Sequence, residues 1–391
     1  MKVKGFLKDV TGASCVTKAR RNLIASGESR NIYSDPIREV AKEVHPDPMK
    51  VVCVSVNDAS PTARTFRFKA VDGTLPPFEA GQYVSFELQV GTSLTTRPFS
   101  ISSAPFEARS EDPFFEITVR NGKENGFIAN YFYGEVEEGD EFTASLPFGQ
   151  FHVEPLRDSK TVVALAGGSG ITPFVSMAKE VNHGTLDIDL TILYGSVSSK
   201  DIILKDTLDS LESEKVHVVH VISGEEDYPG EKGFLTAELI QKYSKGDTTY
   251  FVCGPLAMYN FVRGELDKLH VPFKRVRMEV FGAPVDITKA EGYPEVEAKT
   301  FKLTVVRGIQ EDVIEASSRE SLAVAMERAG IRNLTRCRSG ACGYCRCKLL
   351  SGDVFVPTVG DGRRYADKMY GYVHACSTYP LSDCRIKILI V

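Results

Sequence analysis

The alternation of apolar and polar positions changes character along this 391-residue chain, and each change marks a different kind of domain. Over residues 49–157 the sequence runs in short β-branched and aromatic stretches, VVCVSV, TFRFKAV, YVSFELQV, RPFSISS, FFEITVR and EFTASL, separated by turn residues. Such stretches predict an antiparallel barrel, with Gly126 to Tyr133 as a short helix between two of its strands. Over 158–282 strand patterns alternate with helical ones, beginning TVVALAGG then ITPFVSMAKEV and ending TTYFVCG then PLAMYNFVRGELDKL. That rhythm predicts a doubly wound parallel sheet with ligands at the carboxyl ends of its strands. Residues 283–299, APVDITKAEGYPEVEAK, have no periodicity and read as an interdomain linker. From 300 to 391 come strand-like FKLTVV, a strand near DVIEA, an amphipathic helix SLAVAMERAG ending at Gly330, a cysteine loop and a final strand CRIKILIV. These pieces suggest a small β-grasp unit. The expected fold class is multidomain, α+β and α/β together.

Residues 1–48 are an extension with one readable element. Ser34, Asp35 and Pro36 make a helix start, and Ile37, Val40, Ala41 and Val44 then fall on one face of a short helix that stops before Pro46. Such a stripe is expected to pack against the body of the protein, with partner docking as the alternative.

Composition changes this picture little: 42% apolar and 25% charged residues are ordinary for a globular protein. There is no stretch of signal-peptide character and no apolar run long enough to span a bilayer, so a cytoplasmic protein with no membrane or nucleic-acid partner is expected. Charge and cysteine placement say more. The net charge of −5 divides into +3 for residues 1–48, −13 for 49–300 and +5 for 301–391. Opposite charges on the last two segments favour docking of the cysteine-rich domain on the rest of the chain or on an acidic partner. Of nine cysteines, four fall between Cys337 and Cys347, which points to metal or redox use rather than a disulfide scaffold.

In TRCRSGACGYCRCKLL, Cys337, Cys342 and Cys345 are spaced C-x4-C-x2-C, and Cys376 follows 31 residues after Cys345. This is the plant-type [2Fe–2S] spacing. Two irons bridged by sulfides need four thiolates around a compact core, and Gly340 and Gly343 let the loop close so that amide N–H groups can donate to sulfur. A structural zinc site would usually show two C-x2-C pairs, and only one is present. Cys347 and Cys384 are left as core cysteines. The segment from Thr300 to Val391 resembles plant-type ferredoxins, with Arg332, Arg336, Arg338, Arg346 and Lys348 as a basic departure around the cluster loop.

Arg97, Pro98, Phe99 and Ser100 read as part of a strand preceded by Gly81, Gln82 and Tyr83. A flavin needs a cation for phosphate, an aromatic face and a donor near its reactive nitrogen, and R-P-F-S supplies all of these. The tetrapeptide resembles the R-x-Y/F-S motif of the ferredoxin–NADP reductase family. That resemblance implies Arg97 at the flavin phosphate, Phe99 stacking and Ser100 near the hydride-accepting nitrogen. The family's following Gly-x-x-Ser/Thr helix start is here Gly126, Phe127, Ile128 and Ala129, without the hydroxyl, which leaves FMN open as an alternative to FAD. Pro147 to Phe151, PFGQF, resembles the FAD-using members, so FAD is the expected flavin.

In LAGGSGITPFVSMAK, Gly167, Gly168 and Gly170 stand between a strand and a helix whose first turn holds Thr172 and Pro173. Glycines there let a pyrophosphate approach the backbone and the helix N-terminus. The run resembles the same family's G-G-x-G-I-T-P motif, and Cys253, Gly254 and Pro255 resemble its C-G-P. The resemblance implies Thr172 and Cys253 beside the nicotinamide, with Glu279 and Phe281 near the flavin. YGSVSSKD offers Ser196, Ser198, Ser199 and Lys200 but no arginine for a 2′-phosphate, which favours NADH over NADPH.

A hydride carries two electrons and an iron–sulfur cluster takes one, so a flavin between them is the expected splitter. The order of motifs resembles the reductase components of oxygenases and of hybrid-cluster protein, which implies a separate metalloprotein acceptor and catalytic roles for Ser100, Cys253 and Glu279. The alternatives are an electron-transfer subunit of a larger dehydrogenase complex, disfavoured by the long gap before Cys376, and a redox-sensing protein without turnover.

Overall fold

The computed structural model describes residues 6–26, 36–44, 46–90, 93–122, 126–280, 282, 284, 286–294, 297–358 and 361–388. The chain divides into two compact units, Met1–Glu43 and Val44–Val391.

The first unit is helical. α1 (Phe6–Ser26) is a long helix that the sequence pattern did not predict, because it has no apolar stripe: Val16, Leu23 and Ile24 are exposed. α2 (Pro36–Val44) is the expected short helix, and Ile37 and Val40 of its apolar face are exposed. Ser34 and Asp35 lie outside the described residues.

Among the described residues the second unit contains three large sheets and one two-stranded sheet. β1 (Met49–Ser60), β2 (Ala63–Ala70), β3 (Tyr83–Val90), β4 (Ser93–Ser100), β5 (Phe115–Arg120) and β6 (Glu141–Phe148) form an antiparallel sheet in the order β4-β3-β6-β1-β2-β5. Phe66, Phe68, Phe86 and Phe115 fill its interior, and α3 (Phe127–Glu135) inserts Phe132 against Phe66, Phe86 and Phe142. The middle sheet is wholly parallel. Its strands are β7 (Thr161–Gly167), β8 (Asp189–Ser196), β9 (Val216–Ile222), β10 (Glu231–Lys232), β11 (Thr248–Cys253) and β12 (Val276–Glu279), ordered β10-β9-β8-β7-β11-β12. It carries α4 (Thr172–His183), α5 (Lys205–Leu211), α6 (Ala237–Tyr243) and α7 (Leu256–Lys268). Strand order reverses between β7 and β11, and such a switch point opens a crevice at the carboxyl ends of the two strands.

The last sheet is mixed, ordered β14-β13-β19-β15-β17. Its strands are β13 (Thr300–Arg307), β14 (Gln310–Ser317), β15 (Arg346–Ser351), β17 (Tyr372–His374) and β19 (Cys384–Lys387); α8 (Leu322–Arg328) and α9 (Tyr365–Met369) accompany it, and β16 (Val354–Phe355) pairs antiparallel with β18 (Tyr379–Pro380) as a separate two-stranded sheet. Leu322, Ala323, Ala325 and Met326 bury one side of α8 against it. Ahead of this sheet, the aperiodic segment is not merely extended: Ile287 and Tyr293 are buried beside Tyr379, and the Tyr293 hydroxyl donates to Ser318 O at 3.0 Å. Two isolated anchors leave no periodic trace. Among the described residues no helix is long and apolar enough to cross a membrane.

Candidate functional site

The cysteine loop joins α8 to β15, and Cys376 lies in the single turn after β17. The sulfurs of Cys337, Cys342, Cys345 and Cys376 meet: Cys337 touches Cys342 and Cys376, and Cys376 touches Cys345. These contacts hold Cys337 and Cys345 below the ordinary thiol range and raise Cys342 and Cys376, as expected of thiols sharing protons in a space made for thiolates. Backbone amides point at the sulfurs: Cys342 N to Cys337 Sγ at 3.4 Å, Tyr344 N to Cys342 Sγ at 3.5 Å and Cys376 N to Cys345 Sγ at 3.5 Å. Gly340 and Gly343 both have positive φ, +87° and +73°, so the tight loop uses their conformational freedom. Four gathered sulfurs with amide donors fit a two-iron, two-sulfide core. Among the described residues no group of three or more His, Cys, Asp or Glu is arranged for a single metal ion. Cys347 stands apart in the core with its thiol raised by burial, and Cys384 donates instead to Ser382 O and Asp353 O.

In the barrel, register sets Tyr83 of β3 opposite Ser100 of β4 and Phe86 opposite Arg97. The Arg97 guanidinium donates to two neutral oxygens, Thr95 Oγ1 at 2.7 Å and Thr96 O at 2.8 Å. Burial, with Arg338 nearby, lowers its pKa to about 10, so it remains a cation at neutral pH. A half-buried guanidinium served by neutral groups fits an anion such as a flavin phosphate. Phe99 packs against Phe132 (5.0 Å) and Phe86 (6.1 Å), which spends one side of its ring on the barrel core. Pro98 lies between Arg97 and Phe99 on β4. Gly126 precedes α3 and meets Gly122 so closely that a Cβ on either would collide with the other's backbone. Ile128 turns into the core and Phe127 is exposed.

At the switch point Gly170 abuts the Cys253 carbonyl, where a Cβ would clash, and Gly168 has φ +54°. Thr172 begins α4 with its hydroxyl on Ser169 O at 3.0 Å, Pro173 sits in the first turn, and Gly254 and Pro255 lead into α7. Sequence reasoning missed Arg120. It ends β5, and its Nη1 would stand 3.2 Å from a Cβ on Gly168, while Nη2 is held by Asp201 at 2.7 Å. A terminal arginine on a barrel strand carries no motif, and only the fold brings it over the glycines.

Cys253 lies beside Glu279 in the β11–β12 register. Burial raises both groups, and Glu279 Oε2 has no hydrogen-bond partner among the described residues. A Cβ on Gly149 would lie 3.0 Å from the Tyr83 ring and 3.2 Å from Glu279 Oε1, so the barrel and the parallel sheet meet there. A cavity of about 890 Å³ opens at this point, and its wall includes Tyr83, Phe148, Glu279, Cys337 and Cys342. Tyr83 is the second residue missed; burial and the nearby Cys342 push its phenol up. Phe281 lies outside the described residues.

Two sequence families match this chain: an oxidoreductase NAD-binding domain over residues 164–264 and a 2Fe-2S iron-sulfur cluster binding domain over residues 307–381. The chain is an NAD(P)H oxidoreductase with a [2Fe–2S] domain. The reductase is 27% identical over 354 residues to the glycine betaine monooxygenase reductase subunit of Chromohalobacter salexigens, covering 86% of this chain and 94% of that one. It is 26% identical over 352 residues to the ferredoxin reductase component of 3-ketosteroid-9-alpha-monooxygenase from Mycobacterium tuberculosis, with the same coverage of 86% and 94%. Its fold is that of phthalate dioxygenase reductase, with a TM-score of 0.63 at 23% identity, covering 88% of this chain and 98% of that one. Electrons in the reductase pass from a nicotinamide nucleotide through a flavin to the cluster.

Proposed function

We propose that the reductase takes hydride from NADH onto FAD and delivers single electrons from its cluster to a separate redox metalloprotein, an oxygenase or a hybrid-cluster protein. The observation that carries this reading is the shared cavity, in which Tyr83 and Glu279 face Cys337 and Cys342 across one space. A bound flavin accepts the hydride pair and gives up electrons singly. The residues divide the remaining work. Arg97 holds the flavin phosphate, and Ser100, Cys253 and Glu279 border the reacting rings, with burial raising both the Cys253 thiol and the Glu279 carboxyl. Thr172 and the glycines seat the nucleotide, and Cys337, Cys342, Cys345 and Cys376 hold the irons. Steady-state assay of the holoprotein with NADH and cytochrome c as probe tests the reading: sustained cytochrome reduction is expected. Bound flavin and cluster with no NADH turnover would favour a redox sensor instead.

Arg120 is assigned to the nucleotide pyrophosphate because it is the cation over Gly168. Arg120→Ala should raise KM for NADH about tenfold, the loss of one charge-assisted contact, with kcat largely kept. An unchanged KM would remove Arg120 from the site.

The preference for NADH rests on Glu225. Its carboxylate takes Ser198 Oγ at 2.7 Å, Ser199 N at 2.8 Å and Ser199 Oγ at 2.7 Å, which holds it below the usual carboxylate range. With Glu226 and Asp227 beside it, a 2′-phosphate would meet negative charge. The kcat/KM ratio of NADH to NADPH should be about 10 or more, and Glu225→Gln should narrow it. Equal use of both nucleotides would contradict this assignment.

A further inference from the structure

The residues that bracket Cys337 all reach the flavin barrel. Thr335 accepts from Thr96 Oγ1 of β4 through its carbonyl at 2.8 Å, and the two hydroxyls lie 2.6 Å apart. Arg336 lays its guanidinium over the Phe148 ring of β6 at 3.8 Å and over Tyr344 of the cluster loop at 3.6 Å. Arg338 Nη1 donates to Thr95 Oγ1 at 3.3 Å, the same hydroxyl that accepts from Arg97 at 2.7 Å. The cluster loop is therefore tied to the strand that carries the proposed flavin-phosphate arginine, next to that arginine.

Arg338 differs from an ordinary surface cation in two respects. It is 7% exposed and bound at both nitrogens by Glu327 of α8, itself 7% exposed, with distances of 2.5 and 2.8 Å. It also adopts φ +58°, a left-handed backbone that a long side chain takes only when its surroundings demand it. A buried ion pair costs desolvation that an apolar pair of similar volume would avoid, and its best-attested use is to fix geometry. The geometry fixed here is the seat of the Cys337 loop on β4.

We propose that Arg338, held by Glu327, together with the Thr96–Thr335 pair, forms a latch that positions the cluster against the flavin barrel and sets the rate of electron passage between them. The inference rests on the electron path proposed above. Each passage removes one electron from the reduced flavin and converts one ferric iron to ferrous. Two passages empty the flavin of the hydride pair, one proton goes to water, and the separate acceptor reoxidises the cluster between them. Electron transfer through protein falls steeply with distance, so a loosened loop slows this step alone. Arg338 and Thr96 are positioning residues and touch no reacting atom.

The test uses the full-length holoprotein and two substitutions, Thr96→Val and Glu327→Gln, under anaerobic stopped-flow with NADH. Flavin bleaching and the visible absorption of the oxidised cluster should match the parent, while cluster reduction slows about tenfold, the scale of loss expected from a small misplacement of a positioned group. Cluster reduction at the parent rate in Thr96→Val, with the cluster intact, would overturn the latch. An equal slowing of flavin bleaching and cluster reduction would overturn it as well, because the effect would then be general. If Glu327→Gln does not fold, Thr96→Val decides alone. Failure of the parent protein to bleach its flavin or reduce its cluster would instead overturn the electron path on which the latch depends.

Discussion

Cys342→Ser is expected to abolish the visible absorption of the cluster and to cut electron delivery to a protein acceptor about 100-fold or more, while NADH still bleaches the flavin. Cys342 is the exposed member of the sulfur group, touching Cys337 and accepting from Tyr344 N at 3.5 Å. A serine side chain is shorter and its oxygen is a harder, poorer ligand for the cluster than thiolate. The domain itself should survive, since its core of Leu303, Val305, Met326 and Ile386 does not use this residue. Absorption spectra with acid-labile sulfide analysis measure the first effect, and acceptor assays the second. Retained absorption would take Cys342 out of the ligand set.

Arg97→Ala should yield a protein that is purified with little or no flavin. Two charge-assisted hydrogen bonds to phosphate are together worth about 3 to 4 kcal/mol, which corresponds to about 100- to 1000-fold in affinity. Arg97 stays charged at neutral pH because its pKa, although lowered by burial and by Arg338, is about 10. Arg97→Lys should recover only part of the binding, because an ammonium cannot fork between two oxygens. Fluorescence titration of the apoprotein with FAD and with FMN gives both affinities and identifies the flavin. Full flavin content in Arg97→Ala would move the phosphate elsewhere.

How much could be read in advance depended on whether a feature repeats. The strands β1 to β6 alternate core phenylalanines with polar residues, and the βα units of the parallel sheet place β-branched runs before helical patterns, so both sheets were legible from period alone. The four clustered cysteines were legible because ligand spacing is local for three of them. α1 was not, since an exposed helix without an apolar stripe leaves no periodic signal. Tyr83 and Arg120 were not singled out for their own roles either, because each becomes relevant only through a partner distant in sequence, Glu279 and Gly168 respectively. Arg338 was expected to belong to a basic cluster surface and is instead buried against Glu327. Charge counting cannot separate a solvated arginine from one neutralised inside an interface. Arg346 is likewise paired, with Asp367 at 3.0 Å.

The central claim is an ordered path from nicotinamide to flavin to cluster, and anaerobic rapid mixing of the holoprotein with NADH tests it most directly. Flavin absorbance should fall first, and reduction of the cluster should follow at the expense of the reduced flavin. A flavin that does not bleach, a cluster that stays oxidised after the flavin has bleached, or a cluster reduced ahead of the flavin would contradict it.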